Sequence, residues 1–182
     1  MRLPLTIACI IVLGACIIVS GMLSAEVVDR IAVAVGNRAI KESQIDREIR
    51  LTAFLNGATL DFSAPSKRKA ADRLIDQTNI RAEMAKGSYA APSEAEVSGV
   101  LTKIKRARFS KKGEFEQALQ TYGITEQELK AHVAWQIQVL HFIDLRFLPA
   151  ARVEARVNEA FFSWLDESRK HERIQFHDEV FQ

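Results

Sequence analysis

The sequence predicts a mostly α fold with a small antiparallel β-sheet, an α+β class, and three observations lead there. Two short alternating runs at the start flank a Gly36-Asn37 turn. Six stretches with helical periodicity follow, separated by Gly, Pro and polar breaks. A last alternating run, with Ile174, Phe176 and Val180 against Gln175, His177 and Glu179, reads as a strand whose available partner is the opening hairpin.

In the first run Ile31, Val33 and Val35 alternate with Ala32 and Ala34, so both faces are apolar and the strand should be covered on both sides. Gly36-Asn37 tolerates positive φ, and residues 38–41 return as the antiparallel partner. Ser43, with Asp46 three residues on, reads as the cap of the first helix, which buries Ile45 and Ile49. After a loop over residues 56–65, a second helix covers 66–86. Its inner stripe is Ala71, Leu74, Ile75, Thr78, Ala82 and Ala85, and Gly87 stops it. Ser93 and Glu96 form a capping box for a third helix that turns Val97, Val100, Leu101 and Ile104 inward. A short fourth runs from Glu114 to Tyr122 and ends at Gly123.

Thr125 and Glu128 cap a long fifth helix that should end near Leu148, before Pro149. Leu129, Val133, Ile137, Leu140 and Phe147 form one apolar stripe on it, with Trp135, Val139 and Phe142 roughly opposite. A helix apolar on two faces is sandwiched between layers or leaves one face for a partner; sandwiching is the first expectation. A sixth helix over 152–170 points Val153, Val157, Phe161, Trp164 and Leu165 inward, and together with the last strand it closes the domain over 152–181.

The chain has 182 residues, 48% of them hydrophobic, enough for one domain with its own core over residues 26–182. Residues 1–25 differ from the rest: Arg2, an apolar run over 3–19, then small residues up to Ala25. That is the order of a cleaved signal peptide. Two alternatives stay open, an uncleaved membrane anchor and lipidation at Cys16 in Leu13-Gly14-Ala15-Cys16. All three send the domain out of the cytoplasm. Both cysteines, Cys9 and Cys16, lie in this leader, so cleavage at Ala25 leaves a domain without thiols.

Chemical motifs are missing. The turn has one Gly, and neither G-x-G-x-x-G nor G-x-x-x-x-G-K-[ST] follows it, which argues against a nucleotide cofactor. His132 and His141 are nine residues apart on one helix, on opposite faces, and cannot share a metal. His171 and His177 read as surface positions. No G-x-S-x-G or H-E-x-x-H occurs, and carboxylates sit in capping or i,i+4 positions such as Glu126 with Lys130. No catalytic residue, cofactor or metal is expected. Two basic stretches, "SKRKAADR" from Ser66 and "KIKRARFSKK" from Lys103, read either as solvated surface or as contacts for nucleic acid or anionic headgroups. Export disfavours nucleic acid as a partner.

In this order, "EVVDRIAVAVGNRAIKESQIDREI", "ADRLIDQTNIRAEMAKG", "ITEQELKAHVAWQIQVLHFIDLRF" and "EAFFSWLDESRKHERIQF" resemble the core domain of SurA-type periplasmic chaperones. The resemblance implies an ATP-independent holdase that binds unfolded envelope or outer-membrane precursors in an apolar groove. Family members commonly carry parvulin prolyl isomerase modules between the long helix and the C-terminal helix. Here only Leu148-Pro149-Ala150-Ala151 stands between them, so isomerase activity is not expected. The groove candidates are the aromatics that the core stripes explain least: Phe109, Phe115, Tyr122, Trp135 and Phe142. The alternative is a membrane-tethered interaction subunit with one specific partner, joined to the membrane only through the N-terminal segment.

Overall fold

The computed structural model describes residues 29–151 and 154–182. The leader, with its signal, anchor and Cys16 expectations, lies outside the described residues, as does Val153. Strands β1 (Ile31–Val35) and β2 (Arg38–Lys41) are followed by helices α1 (Glu42–Asn56), α2 (Ala64–Met84), α3 (Glu94–Arg108), α4 (Glu114–Tyr122), α5 (Glu126–Ala151) and α6 (Glu154–His171). Strand β3 (Ile174–Phe176) and a 3-10 turn (Asp178–Phe181) end the chain. Among the described residues the protein is thus mainly helical with one small antiparallel sheet, the predicted class.

The sheet order is β2-β1-β3, with Val33 opposite Phe176 and Val35 opposite Ile174. Gly36 takes φ +58 at the β1–β2 turn, and a Cβ there would stand 2.7 Å from Glu172 Oε2. Glycine therefore serves both the backbone and the close approach of the α6–β3 connection. Val33 and Val35 on one face of β1 and Ala32 on the other are buried.

Several boundaries differ from expectation for local reasons. Helix α1 starts two residues earlier than a Ser43 cap implies, because Gln44 Oε1 accepts the Lys41 N–H at 2.8 Å. Ser43 Oγ instead donates to Asp29 at 2.5 Å. Helix α2 opens at Ala64 with Pro65 in its first turn, where the missing N–H costs nothing. Its inner face carries Ala70, Ile80 and Met84 rather than Ala82 and Ala85, since the longer side chains fill the space toward α5 and α6. Pro149 lies inside the last turn of α5, which runs on to Ala151; one lost amide donor so near the end does not break the helix. The last strand is three residues long, because the chain turns at Asp178 and sends Val180 into the core beneath α2. The capping boxes at Ser93-Glu96 and Thr125-Glu128 form as read, with Glu96 and Glu128 accepting from the cap N–H groups at 2.7 and 2.8 Å.

Three apolar clusters hold these elements together. The first joins the sheet, α1, α2 and Val180. The second packs Leu51 and Phe54 of α1 against α3, α4 and the N-terminal half of α5. The third packs Ile80 and Met84 of α2 against the C-terminal half of α5 and α6. Helix α5 therefore is sandwiched. Leu129 and Val133 serve the second cluster, whereas Trp135, Phe142 and Phe147 serve the third. Leu140, expected on the inner stripe, is left 59% exposed at the switch between the two.

Candidate functional site

A cleft of about 590 Å³ opens where α2, α5 and α6 meet beside α1. Its apolar walls are Ile80 from α2, Trp135, Val139 and Leu140 from α5, and Phe161, Phe162 and Leu165 from α6. Trp135, Phe161 and Leu165 are buried and continuous with the third cluster. Phe162, 60% exposed, and Leu140 stand at the mouth. Helical spacing produces this split on α6: Phe161 and Leu165, four apart, share the inner face, and Phe162 is turned about 100° from Phe161.

The cleft has one polar end, built around Glu48. This carboxylate is 5% exposed and accepts from Arg73 Nε at 2.9 Å, Gln77 Nε2 at 3.3 Å and Thr52 Oγ1 at 3.3 Å. A buried carboxylate requires such partners, and three residues on two helices supply them, Thr52 from α1 and Arg73 and Gln77 from α2. His132 lies beside it, 3.1 Å from Gln136 Nε2 through its own Nε2. Burial holds the His132 pKa below the usual histidine range; nearby Arg73 adds to this and Glu48 opposes it. The shift favours the neutral ring.

An ion pair ties α6 to α2 at the edge of the cleft, which Asp76 lines. Arg169 donates to Asp76 through Nε at 2.6 Å and Nη2 at 2.8 Å, and its Nη2 also reaches the Asp72 carbonyl at 3.1 Å. The two-pronged contact with Asp76 raises the Arg169 pKa, against the effect of burial. Behind the α5 wall, the Arg81 guanidinium lies 3.6 Å from the Trp135 ring centre, and burial lowers its pKa.

The five aromatics singled out by sequence do not form one site. Phe109, Phe115 and Tyr122 surround Phe54, with ring centres at 6.0, 6.1 and 5.5 Å. The Tyr122 hydroxyl donates to the Ala58 carbonyl at 2.8 Å, which spends its polar end on the fold. Phe142 is fully buried between Tyr89, Phe147 and Trp164. Trp135 alone of the five lines the cleft. The residues that reasoning from sequence missed are Leu140 and Phe162. The signal for Phe162 was present in the Phe161-Phe162 pair, since two adjacent aromatics on an amphipathic helix cannot both face the core, whereas Leu140 sits on the apolar stripe of α5 and gave none.

The histidines stay apart, as their spacing requires: His132 is in the cleft, and His141 Nε2 lies 3.4 Å from Glu96. Among the described residues no group of three or more His, Cys, Asp and Glu could hold a metal, and no helix is long and apolar enough to cross a membrane. Glu126 and Lys130 do not pair along the helix; each reaches across to α3, Glu126 to Lys105 at 2.6 Å and Lys130 to Glu94. Compared with known protein families the chain matches none, and no curated protein matches it either.

Proposed function

We propose that the protein is an exported, ATP-independent holdase that binds unfolded envelope or outer-membrane polypeptides in the α2–α5–α6 cleft, without catalysis. The observation that carries this reading is the mouth of the cleft, where Leu140 and Phe162 are 59% and 60% exposed over a wall of buried apolar side chains. Folding gains nothing by leaving two such side chains in water, and a client's apolar side chain would cover them. Burial of one Leu or Phe contributes about 1.5–3 kcal/mol, so a few such contacts give weak and promiscuous binding. The amide of Gln136 and the polar end around Glu48 offer hydrogen-bond partners to a client's main chain. The sequence resemblance to SurA-type chaperones points the same way.

Light scattering of an unfolded outer-membrane protein diluted into the full chain tests the reading. The wild type is expected to suppress aggregation of several unrelated precursors. The double variant Leu140→Ser, Phe162→Ser should fold normally and need about tenfold more protein for the same protection. Protection of one polypeptide only would replace the holdase by a tethered interaction subunit. Equal protection by variant and wild type would remove the cleft from the mechanism.

A further inference from the structure

The segment "KIKRARFSKK", residues 103–112, has no part in the cleft. Six of the chain's 25 Lys and Arg residues stand in these ten positions without one acid among them. The whole chain carries a formal charge of only +2, so the remainder is net negative and the charge is segregated. The segment forms the last turns of α3 and the exposed loop before α4.

Of the six cations, one has a carboxylate partner among the described residues: Lys105, 2.6 Å from Glu126. Arg108 caps the Phe54 and Leu55 carbonyls at the end of α1, which leaves its charge uncompensated. Lys103, Arg106, Lys111 and Lys112 are exposed and pair with nothing among the described residues. The nearest acid in sequence, Glu114, is already engaged: its carboxylate accepts the Ser110 and Lys111 N–H groups, both at 2.9 Å. The end of α3 and the exposed loop after it thus present four unpaired cations to solvent, a charge complement to a surface of single negative charges.

We propose that residues 103–112 dock the domain on an anionic membrane surface through phosphate headgroups, with Lys103, Arg106, Lys111 and Lys112 as the contacts. An apolar leader that takes the chain to a membrane makes a bilayer the anionic surface within reach. Each cation near such a surface raises binding on the order of fivefold, and the effect fades beyond a Debye length.

The test is cosedimentation of the full chain with phosphatidylcholine vesicles, with or without about one-third phosphatidylglycerol. The leader contributes equally to both, so the ratio between them reads the patch. The wild type should prefer the anionic vesicles by about tenfold or more at low salt and lose that preference at high salt. K103Q/R106Q/K111Q/K112Q should abolish the preference, and K103R/K111R/K112R should keep it. No preference in the wild type, or a preference that survives in the glutamine variant, overturns the proposal. So does a wild type that ignores anionic vesicles and binds duplex DNA.

Discussion

The two basic stretches look alike as sequence and meet opposite fates in the fold. In "SKRKAADR" the structure engages three of the four cations, Lys69 alone staying exposed and unpaired among the described residues. Lys67 donates to Glu42 Oε1 at 3.1 Å and to the Val180 carbonyl at 3.2 Å, tying α2 to α1 and to the chain end. Arg68 lies over the Phe176 ring at 3.3 Å, and Arg73 pairs with buried Glu48 at 2.9 Å. In "KIKRARFSKK" four of six cations pair with nothing among the described residues. The lesson is that a charge run has no meaning until its neighbours are known. Cations opposite a buried acid are part of the core, whereas cations beside empty surface are available to a partner.

The contrast between the stretches rests most heavily on Arg73, which pairs with buried Glu48. Arg73→Met leaves the Glu48 carboxylate buried with only neutral donors, Gln77 and Thr52. Urea unfolding should show a loss of about 2–3 kcal/mol, below the full cost of orphaning a buried charge because Arg73 is itself partly solvated. A loss near zero would mean that the first stretch is as dispensable as the second.

Lys67 sharpens the comparison through pH. Burial pushes the Glu42 carboxyl up, but the hydrogen bonds and charges of Lys67 and Arg30 outweigh it and hold the pKa below the usual glutamate range. Because the folded pKa is depressed, this stabilisation is present above the unfolded glutamate value of ~4.3 and is lost as pH falls through the folded one. Lys67→Met should therefore cost about 1 kcal/mol at pH 7, and the gap to wild type should narrow in acid below about pH 4, leaving the part that Lys67 contributes at the Val180 carbonyl. Thermal melts at a series of pH values check both the sign and the window.

The smallest effect belongs to the second stretch. K103Q/R106Q/K111Q/K112Q should change unfolding free energy by less than about 0.5 kcal/mol, measured by the same urea titration. A larger loss would show that these cations stabilise the fold, and the contrast between the two stretches would disappear.

Much of the fold was legible because it rests on local rules. Gly36-Asn37 sets a hairpin turn, Ser93-Glu96 and Thr125-Glu128 start helices, and Gly123 stops one at φ +62. The site was less legible. Phe142 and Phe115 looked spare after the stripes were assigned, yet Phe142 fills the third cluster and Phe115 the second. Leu140 looked internal, yet it stands at the mouth of the cleft. Period alone says which residues share a face of α5; it does not say where along the helix the packing partner changes from α3 and α4 to α6.

The element order, the turn positions and the capping boxes at Ser93-Glu96 and Thr125-Glu128 follow from sequence, because each depends on residues within about four positions of one another, whereas the starts of α1 and α2 do not. The sequence also determined that charge is concentrated at 103–112. Three outcomes come from tertiary packing alone: which face of α5 meets which neighbour, that Arg169 and Asp76, far apart in the chain, join α6 to α2 beside the cleft, and which basic stretch finds acids opposite it. Those outcomes depend on contacts between distant segments, and no local pattern encodes them.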